Sequence, residues 1–541
     1  MKINEYLKAL FKNKKIKDTY CVFNKNLFKE TPKYKKKGEI LIEFNNYQPS
    51  HVGLAIISNI LSKKFRVKIN AYTGYSLLVT PLKYTFFNYI KWLLGNFFNL
   101  GAFKIYRSFN TKKIFKPSIS KLTEIKSEKL FHDLWNNIKK KEDVINIKVS
   151  GIHFGDLIYD TYIKSTYKPT INIHDPHFKV FFKDFIKLIL FWLSYFKEND
   201  IKAIIGSHSV YSFGLPLRIA AKKNIPAYVL DVHHLFKITK KRPYQLSDSQ
   251  DYKKTASNLF KEGLSKGKIL AKKQLKNRFA GNEVDDLELS KSAYHNYFKK
   301  RLIKKTNKIK VLICAHEFFD AVSIYGKNLF PDFYEWLEYL GRLSNETSYD
   351  WYIKGHPKQP GKFKKYQLHT EKILRDFVKK YKNIRLLPES YSHQQILKEN
   401  IDYALTVYGS IAFEYPFFNI PVINASKNHP SKKYNFSITP NSIKQYDNIL
   451  KNLKKNNYKI NKDEIYEYYF IRFIHSTSTN WLLNYNKLIK KFKYWSNIYS
   501  VYFYKYYMDQ FNIKDFDKKM MCYIAFLKSK NHRIKDIDLI K

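Results

Sequence analysis

Two short segments combine residue types that suit the capture of an anionic ligand. Lys354-Gly355-His356-Pro357 follows the apolar run Trp351-Tyr352-Ile353, which sets a cation and an imidazole at the end of a strand. That is the edge at which open α/β sheets bind ligands. Tyr408-Gly409-Ser410 follows the apolar run of residues 401–407 and turns into a helix opening Ile411-Ala412-Phe413-Glu414. Glycine lets the backbone approach a ligand closely, and the free N–H groups of a helix start favour a phosphate. Glu414, four residues after Ser410, shares its helix face and suits a pair of sugar hydroxyls. Together they point to a nucleotide held by its phosphates at two strand ends. The plainer alternatives are a His-Pro turn and a Gly-Ser helix cap.

Other polar residues stand at similar places. His51, at the start of a helix after the first strand, titrates near neutrality and is a candidate general base, with capping beside Ser50 as the alternative. Asp156 follows Ser150-Gly151-Ile152-His153-Phe154-Gly155, a carboxylate at a cleft mouth or the product of a glycine turn. His208 lies in the exit loop of the apolar strand 201–207. His316, Glu317 and Asp320 place an imidazole and two carboxylates within five residues after another strand. No HExxH or paired His and carboxylate spacing suggests a metal, and no motif calls for a cofactor.

The elements that must position these groups alternate. Strands are expected at 38–44, 66–71, 103–106, 201–207 and 225–230, with a further apolar run at 144–149 and helices at 51–64, 119–141, 178–199 and 216–223 between them. A second series has strands at 309–314, 350–353, 383–387, 401–407 and 419–424, with helices at 330–344 and 391–399. Strand, loop, helix, strand is the pattern of parallel sheets. The expected fold class is α/β, two Rossmann-like domains facing a cleft. A basic leader spans 1–37, an acceptor domain 38–246, a helical linker 247–307, a nucleotide-donor domain 308–450 and a helical extension 451–541.

The 541 residues include 98 basic and 46 acidic ones, a formal charge of +52 spread along the chain. Such a field favours anionic partners. Lysine is abundant together with Asn, Ile and Tyr, as in A+T-rich genomes, and no zinc-finger, RNP or arginine-rich segment is present, so nucleic acid is not the expected partner. Cys21, Cys314 and Cys522 are far apart, which fits a reducing compartment. Neither residues 84–103 nor 181–196 form the uninterrupted span of about 20 apolar residues that a bilayer requires. The expected location is the cytoplasm, with peripheral attachment to an anionic membrane surface left open.

The segment Trp351 to Pro357, the turn Tyr408-Gly409-Ser410 leading to Glu414, and Ile420-Pro421-Val422-Ile423 resemble the capsular polysaccharide transferases, including Kdo transferases. They are also similar to the CDP-glycerol glycerophosphotransferases, which tend to carry a Tyr-Ser-Ser type of turn instead. The resemblance spans residues 308–430 and implies a GT-B glycosyltransferase with a nucleotide-sugar donor and a glycan or lipid-linked acceptor. By it, Lys354, His356, Tyr408, Gly409 and Ser410 would hold the donor phosphates and Glu414 the ribose, with no metal required. The base is left open among His51, Asp156, His208 and the loop from Glu317 to Asp320. A nucleotide-sugar 2-epimerase and a non-catalytic scaffold of glycan assembly are the alternatives.

Overall fold

A computed structural model describes residues 3–29, 34, 37–73, 86–231, 234–281, 293–294, 300–356, 364–455, 458–476 and 484–534. Two sheets organise the chain. The first has six strands in the order β3-β2-β1-β6-β7-β8: β1 Glu39–Phe44, β2 Lys68–Thr73, β3 Thr111–Phe115, β6 Ile201–Gly206, β7 Ala227–Leu230 and β8 Leu235–Ile238. All its pairings are parallel except β7 with β8. β4 Lys148–Val149 and β5 Ile152–His153 form a separate antiparallel pair. The second sheet is wholly parallel, in the order β11-β10-β9-β12-β13: β9 Lys310–Cys314, β10 Asp350–Lys354, β11 Ile384–Leu387, β12 Tyr403–Thr406 and β13 Val422–Asn424. Ile40, Leu41 and Ile42, like Val311, Leu312 and Ile313, are fully buried. Central parallel strands are covered on both faces and so read as continuous apolar runs.

Strand order decides where the polar loops meet. In the first sheet the chain builds outward from β1 through β2 to β3, then returns to place β6 on the other side of β1. In the second it leaves β9 through β10 and β11 and returns with β12. Each reversal opens a crevice beyond the carboxyl ends of two adjacent strands, between β1 and β6 and between β9 and β12.

One expected strand is corrected. Residues 103–106 lie in the helix Ala102–Ser108, and the strand is β3. A short apolar run serves either element, and here Gly101 at φ +57 starts a helix. The apolar run 144–149 is divided: residues 144–145 end the helix Lys141–Ile145, whose first turn is held by Asp143 accepting the N–H groups of Lys139 and Lys140 at 2.9 Å, and Lys148–Val149 form β4. The following glycines are structural: Ser150 and Gly151, both at positive φ, turn the β4–β5 hairpin. A Cβ on Gly155 would meet the Val144 carbonyl oxygen at 2.1 Å.

One buried cluster runs from Leu41 and Ile204 of the first sheet to Val311, Ile313 and Trp351 of the second, including Phe178, Phe181 and Phe185 of the helix Pro176–Glu198. The opposite face of the first sheet, with Ile40 and Ile42, is covered by the helix Gln48–Phe65 and by Tyr504, Tyr507, Tyr523 and Phe526 from helices Tyr502–Gln510 and Ile513–Lys528. The final described residues run along β8, with Lys237 donating to the His532 carbonyl at 2.7 Å and Ile534 donating to that of Leu235 at 2.9 Å. No helix among the described residues is long and apolar enough to cross a membrane.

Candidate active site

The first crevice holds a carboxylate, a hydroxyl and an imidazole in series. Glu43, in the last turn of pleat of β1, is fully buried and accepts the backbone N–H of Ser207 at 2.7 Å. Ser207 Oγ lies 2.7 Å from one Glu43 oxygen, 2.9 Å from the other and 2.8 Å from His208 Nδ1. Burial pushes the Glu43 carboxyl above its usual range, against the pull of the hydrogen bonds from Ser207. An ionised carboxylate only accepts, so the single hydroxyl proton of Ser207 goes to Glu43. Ser207 Oγ then accepts from His208 Nδ1–H, which leaves a lone pair on Nε2. Burial lowers the His208 pKa, Asp231 and Asp320 draw it upward, and Lys164 adds to the lowering. A neutral imidazole held in this tautomer is a competent proton acceptor.

The second crevice holds a neutral imidazole facing the other way chemically. His316 Nε2 accepts the backbone N–H groups of Val407 at 3.1 Å and Tyr408 at 3.4 Å, and lies 3.0 Å from Thr406 Oγ1. Its proton therefore sits on Nδ1, as a donor. The ring stacks on Phe333 at 4.6 Å and lies 5.0 Å from that of Tyr408, and burial pushes its pKa down to about 3. Gly409 donates its N–H to Thr406 Oγ1 at 3.1 Å, where a Cβ would meet that oxygen at 2.8 Å. Only glycine fits this turn without displacing Thr406. Ser410 is exposed and makes no side-chain cap to the helix Ile411–Phe417.

One helix, Gly155–Thr166, ties the crevices together. Asp156, Asp160 and Lys164 recur every four residues and so share a face. Lys164 Nζ lies 3.6 Å from Asp320, which also accepts from Tyr211 OH at 3.0 Å. Protein packed around Asp320 opposes its ionisation, but the side chain is 70% exposed, and Lys164 and the Tyr211 hydroxyl hold its pKa below the usual range. Its charge acts on both His208 and His316. Asp160 accepts Ser323 N–H at 3.2 Å through one oxygen, while the other is buried without a partner. Burial, then the neighbouring Asp156, push the Asp160 carboxyl well above the usual range.

Several expected site residues are engaged with partners inside the protein. His51 is buried, with Nε2 at 2.8 Å from the Asn45 carbonyl and Nδ1 at 2.5 Å from Tyr504 OH, so neither ring nitrogen is open to an acceptor. Asp156 forms a buried bidentate pair with Arg218, both contacts at 2.5 Å, and accepts from Tyr244 OH at 2.9 Å. Burial would raise its pKa, but the Arg218 guanidinium holds it below the ordinary range, which suits an anchor and not a base. Lys354 Nζ is buried against the Glu389 carbonyl at 2.7 Å, and burial pushes its pKa down to about 8. Glu414 accepts Arg278 Nε at 2.9 Å and Nη2 at 2.7 Å with one oxygen, and Tyr294 OH at 3.0 Å with the other, leaving no carboxylate oxygen free to chelate a ribose.

The other expected residues lie at the second crevice or its rim. His356 acts electrostatically on His316, Glu317 and Asp320, while Pro357 falls outside the described residues. Glu317 accepts from Thr370 Oγ1, and burial raises its pKa. Tyr408 OH donates to the Ala321 carbonyl at 2.6 Å. Glu43, Ser207, Lys164, Tyr211 and Thr406 were not singled out by the sequence. For Glu43 a signal existed: a carboxylate near the carboxyl end of an otherwise apolar central strand. Among the described residues no group of three His, Cys, Asp or Glu side chains is arranged to hold a metal ion.

No protein-family model matches the chain, and no curated protein does. Among solved structures it is similar to the β-Kdo 2,4-transferase KpsC of Thermosulfurimonas dismutans, with 13% identity, 51% of this chain and 85% of that one covered, and a TM-score of 0.31. The N-terminal domain of Candida albicans trehalose-6-phosphate phosphatase matches at 12% identity over 84% of this chain and 97% of that one, with a TM-score of 0.24. The UDP-GlcNAc 2-epimerase of Neisseria meningitidis matches at 11% identity over 84% and 98%, with a TM-score of 0.21. Superpositions this loose carry no argument about residues or reaction.

Proposed function

We propose that the chain is a nucleotide-sugar-dependent glycosyltransferase of two-domain GT-B architecture, acting on a surface-glycan acceptor of the capsule or lipopolysaccharide type. The observation that carries this reading is the pairing of two neutral imidazoles of opposite polarity, His208 accepting at Nε2 and His316 donating at Nδ1, at two strand-order reversals within the field of one carboxylate, Asp320. An acceptor hydroxyl gives its proton to His208 Nε2 as its oxygen bonds to the anomeric carbon of the donor. The bond from that carbon to the nucleotide phosphate breaks, and the phosphate leaves with the electron pair. His316 Nδ1–H, with His356 beside it, meets the negative charge on the phosphate, and Asp320 and Asp231 stabilise the imidazolium at His208. In this reading Tyr408, Gly409 and Ser410 shape the donor end of the cleft, and Asp156 and Glu414 hold its walls.

A second reading, a nucleotide-sugar 2-epimerase, is favoured by the carboxylates Glu317 and Asp320 beside His316, which would suit acid and base work on the donor sugar itself. One set of measurements separates the readings. Purified protein is melted with CMP, CDP, UDP, GDP and ADP, and nucleotide release from the matching sugar nucleotide is followed with and without glycan acceptor. A ligand at about 100 times its dissociation constant stabilises the native state by roughly 2.7 kcal/mol. Transferase activity predicts stabilisation by one nucleotide, lost in His316→Ala, with release only when acceptor is present. Sugar interconversion without acceptor supports the epimerase. Binding without turnover leaves a scaffold, and no shift with any nucleotide overturns the proposal.

A further inference from the structure

The helix Phe86–Phe97 and the turn after it present an apolar surface with no function in the proposed reaction. Phe97 is 82% exposed, Phe98 60% and Leu100 57%, and Leu93 and Leu94 are also exposed. Five large apolar side chains within eight residues form a patch of the kind that marks an interaction site in a soluble chain. The patch is built on a fixed frame. Gly95 sits so close to Phe103 that a Cβ there would lie 2.9 Å from its ring, and the Trp92 ring packs on the same side chain at 5.6 Å. Arg107 ties the end of the helix to the turn, donating to the Asn96 carbonyl at 2.8 Å, to Asn96 Oδ1 at 2.7 Å and to Asn99 Oδ1 at 2.9 Å. Lys116 Nζ lies 3.3 Å from the centre of the Tyr89 ring. Phe98 stands edge-on to Phe97 at 5.0 Å.

The charge around the patch selects its partner. From Phe86 to Lys116 the chain carries Lys91, Lys104, Arg107, Lys112, Lys113 and Lys116 and not one Asp or Glu. Lys104 is paired with Asp18 and Arg107 is used within the frame, but Lys91, Lys112 and Lys113 are exposed. Lys112 and Lys113 belong to β3, the edge strand of the first sheet. Exposed apolar side chains on a segment whose own charges are all positive match the acyl and headgroup layers of an anionic bilayer.

We infer that residues 93–100 form a membrane-docking tip that inserts Phe97, Phe98 and Leu100 among the acyl chains of an anionic bilayer while Lys91, Lys112 and Lys113 meet its headgroups. Phe103, which supports the helix, packs at 4.6 Å on Phe44, the neighbour of Glu43, so the helix bearing the tip is braced on the carboxyl end of β1, where the Glu43–Ser207–His208 series begins. The inference stands whether or not the chain is a transferase.

Co-sedimentation tests it, using the full chain with vesicles of phosphatidylglycerol and phosphatidylcholine or of phosphatidylcholine alone. Wild type is expected on the anionic vesicles, less so as salt rises. The pair Phe97→Asp and Phe98→Asp should lower the partition coefficient at least about tenfold with an unchanged melting temperature, since both positions are exposed. The pair Lys112→Glu and Lys113→Glu should weaken binding to anionic vesicles alone. If the phenylalanine pair does not fold, Leu100→Asp carries the same expectation. Absence of wild-type binding, or binding unaffected by these substitutions, overturns the inference. So does a wild-type dimer in sedimentation that Phe98→Asp converts to monomer, because a second copy would then cover the patch.

Discussion

Replacing Glu43 by glutamine changes one atom in the core and reverses the hydrogen bonds that follow. In the native chain the Ser207 hydroxyl donates to Glu43, and His208 Nδ1–H donates to Ser207. With Glu43→Gln, the amide oxygen keeps the Ser207 N–H contact and the amide N–H now donates to Ser207 Oγ. The hydroxyl proton must turn to His208 Nδ1, and the neutral ring then carries its proton on Nε2. The base becomes a donor. General-base catalysis contributes roughly 10²- to 10⁴-fold, so kcat should fall by that factor, about 2.7 to 5.4 kcal/mol of barrier at 1.36 kcal/mol per decade. The fold should persist, because a neutral amide replaces a fully buried carboxyl of the same shape. The assay is nucleotide release with acceptor, followed across pH. Wild-type kcat should drop as pH falls through the His208 pKa, which burial holds below the ordinary histidine value, and this acid limb should flatten in Glu43→Gln. A folded variant with kcat within about threefold of wild type would refute the relay, since less than 1 kcal/mol of transition-state stabilisation would then depend on it.

Glu414→Gln should destabilise the chain by roughly 2 to 3 kcal/mol in chemical denaturation, because it breaks a paired carboxylate buried against the partly exposed Arg278, while nucleotide affinity stays unchanged. A weakened nucleotide shift with unaltered stability would restore the ribose contact. His51 has a folded pKa of about 4 against roughly 6.5 unfolded, so the unfolded state takes up the proton in between; its contribution is complete above neutrality and is lost as pH falls, roughly 3 kcal/mol by pH 4. His51→Gln should reduce the difference in urea midpoint between neutral and acid pH, and an unchanged difference refutes the assignment. Gly409→Ala forces a Cβ to 2.8 Å from Thr406 Oγ1, so the turn must shift. Nucleotide stabilisation in the melting screen should fall with it, and an unaltered shift would separate this turn from the ligand.

The strands and the loops at their ends were readable because parallel strands are buried on both faces, as in 309–314 and 201–207, and end abruptly in polar residues. That reading brought His208, His316, Asp320, Tyr408 and Gly409 into view. What each group does was not readable, because it depends on partners far along the chain. Glu43 and Ser207 are 164 positions apart, and Glu414 and Arg278 136. A carboxylate facing a cleft and one locked to an arginine have the same local spacing, which is why Asp156 and Glu414 looked available. The strand expected at 103–106 failed differently: so short a run, Phe103, Ile105 and Tyr106 around Lys104, fits either period, and the decision lay in Gly101 and in the packing of Phe103 on Phe44 and Trp92.

The cover of the first sheet has a consequence for biosynthesis. Ile40 and Ile42 leave the ribosome long before Tyr504, Tyr507, Tyr523 and Phe526, which help to shield that face, and the β8 edge waits for residues 532–534. In that interval the nascent sheet carries a flank shielded by the helix Gln48–Phe65 alone and an open hydrogen-bonding rim. A ribosome stalled near residue 480 would release a chain with its second sheet encoded in full and its first only partly shielded, a target for chaperones and proteases rather than a stable half-molecule.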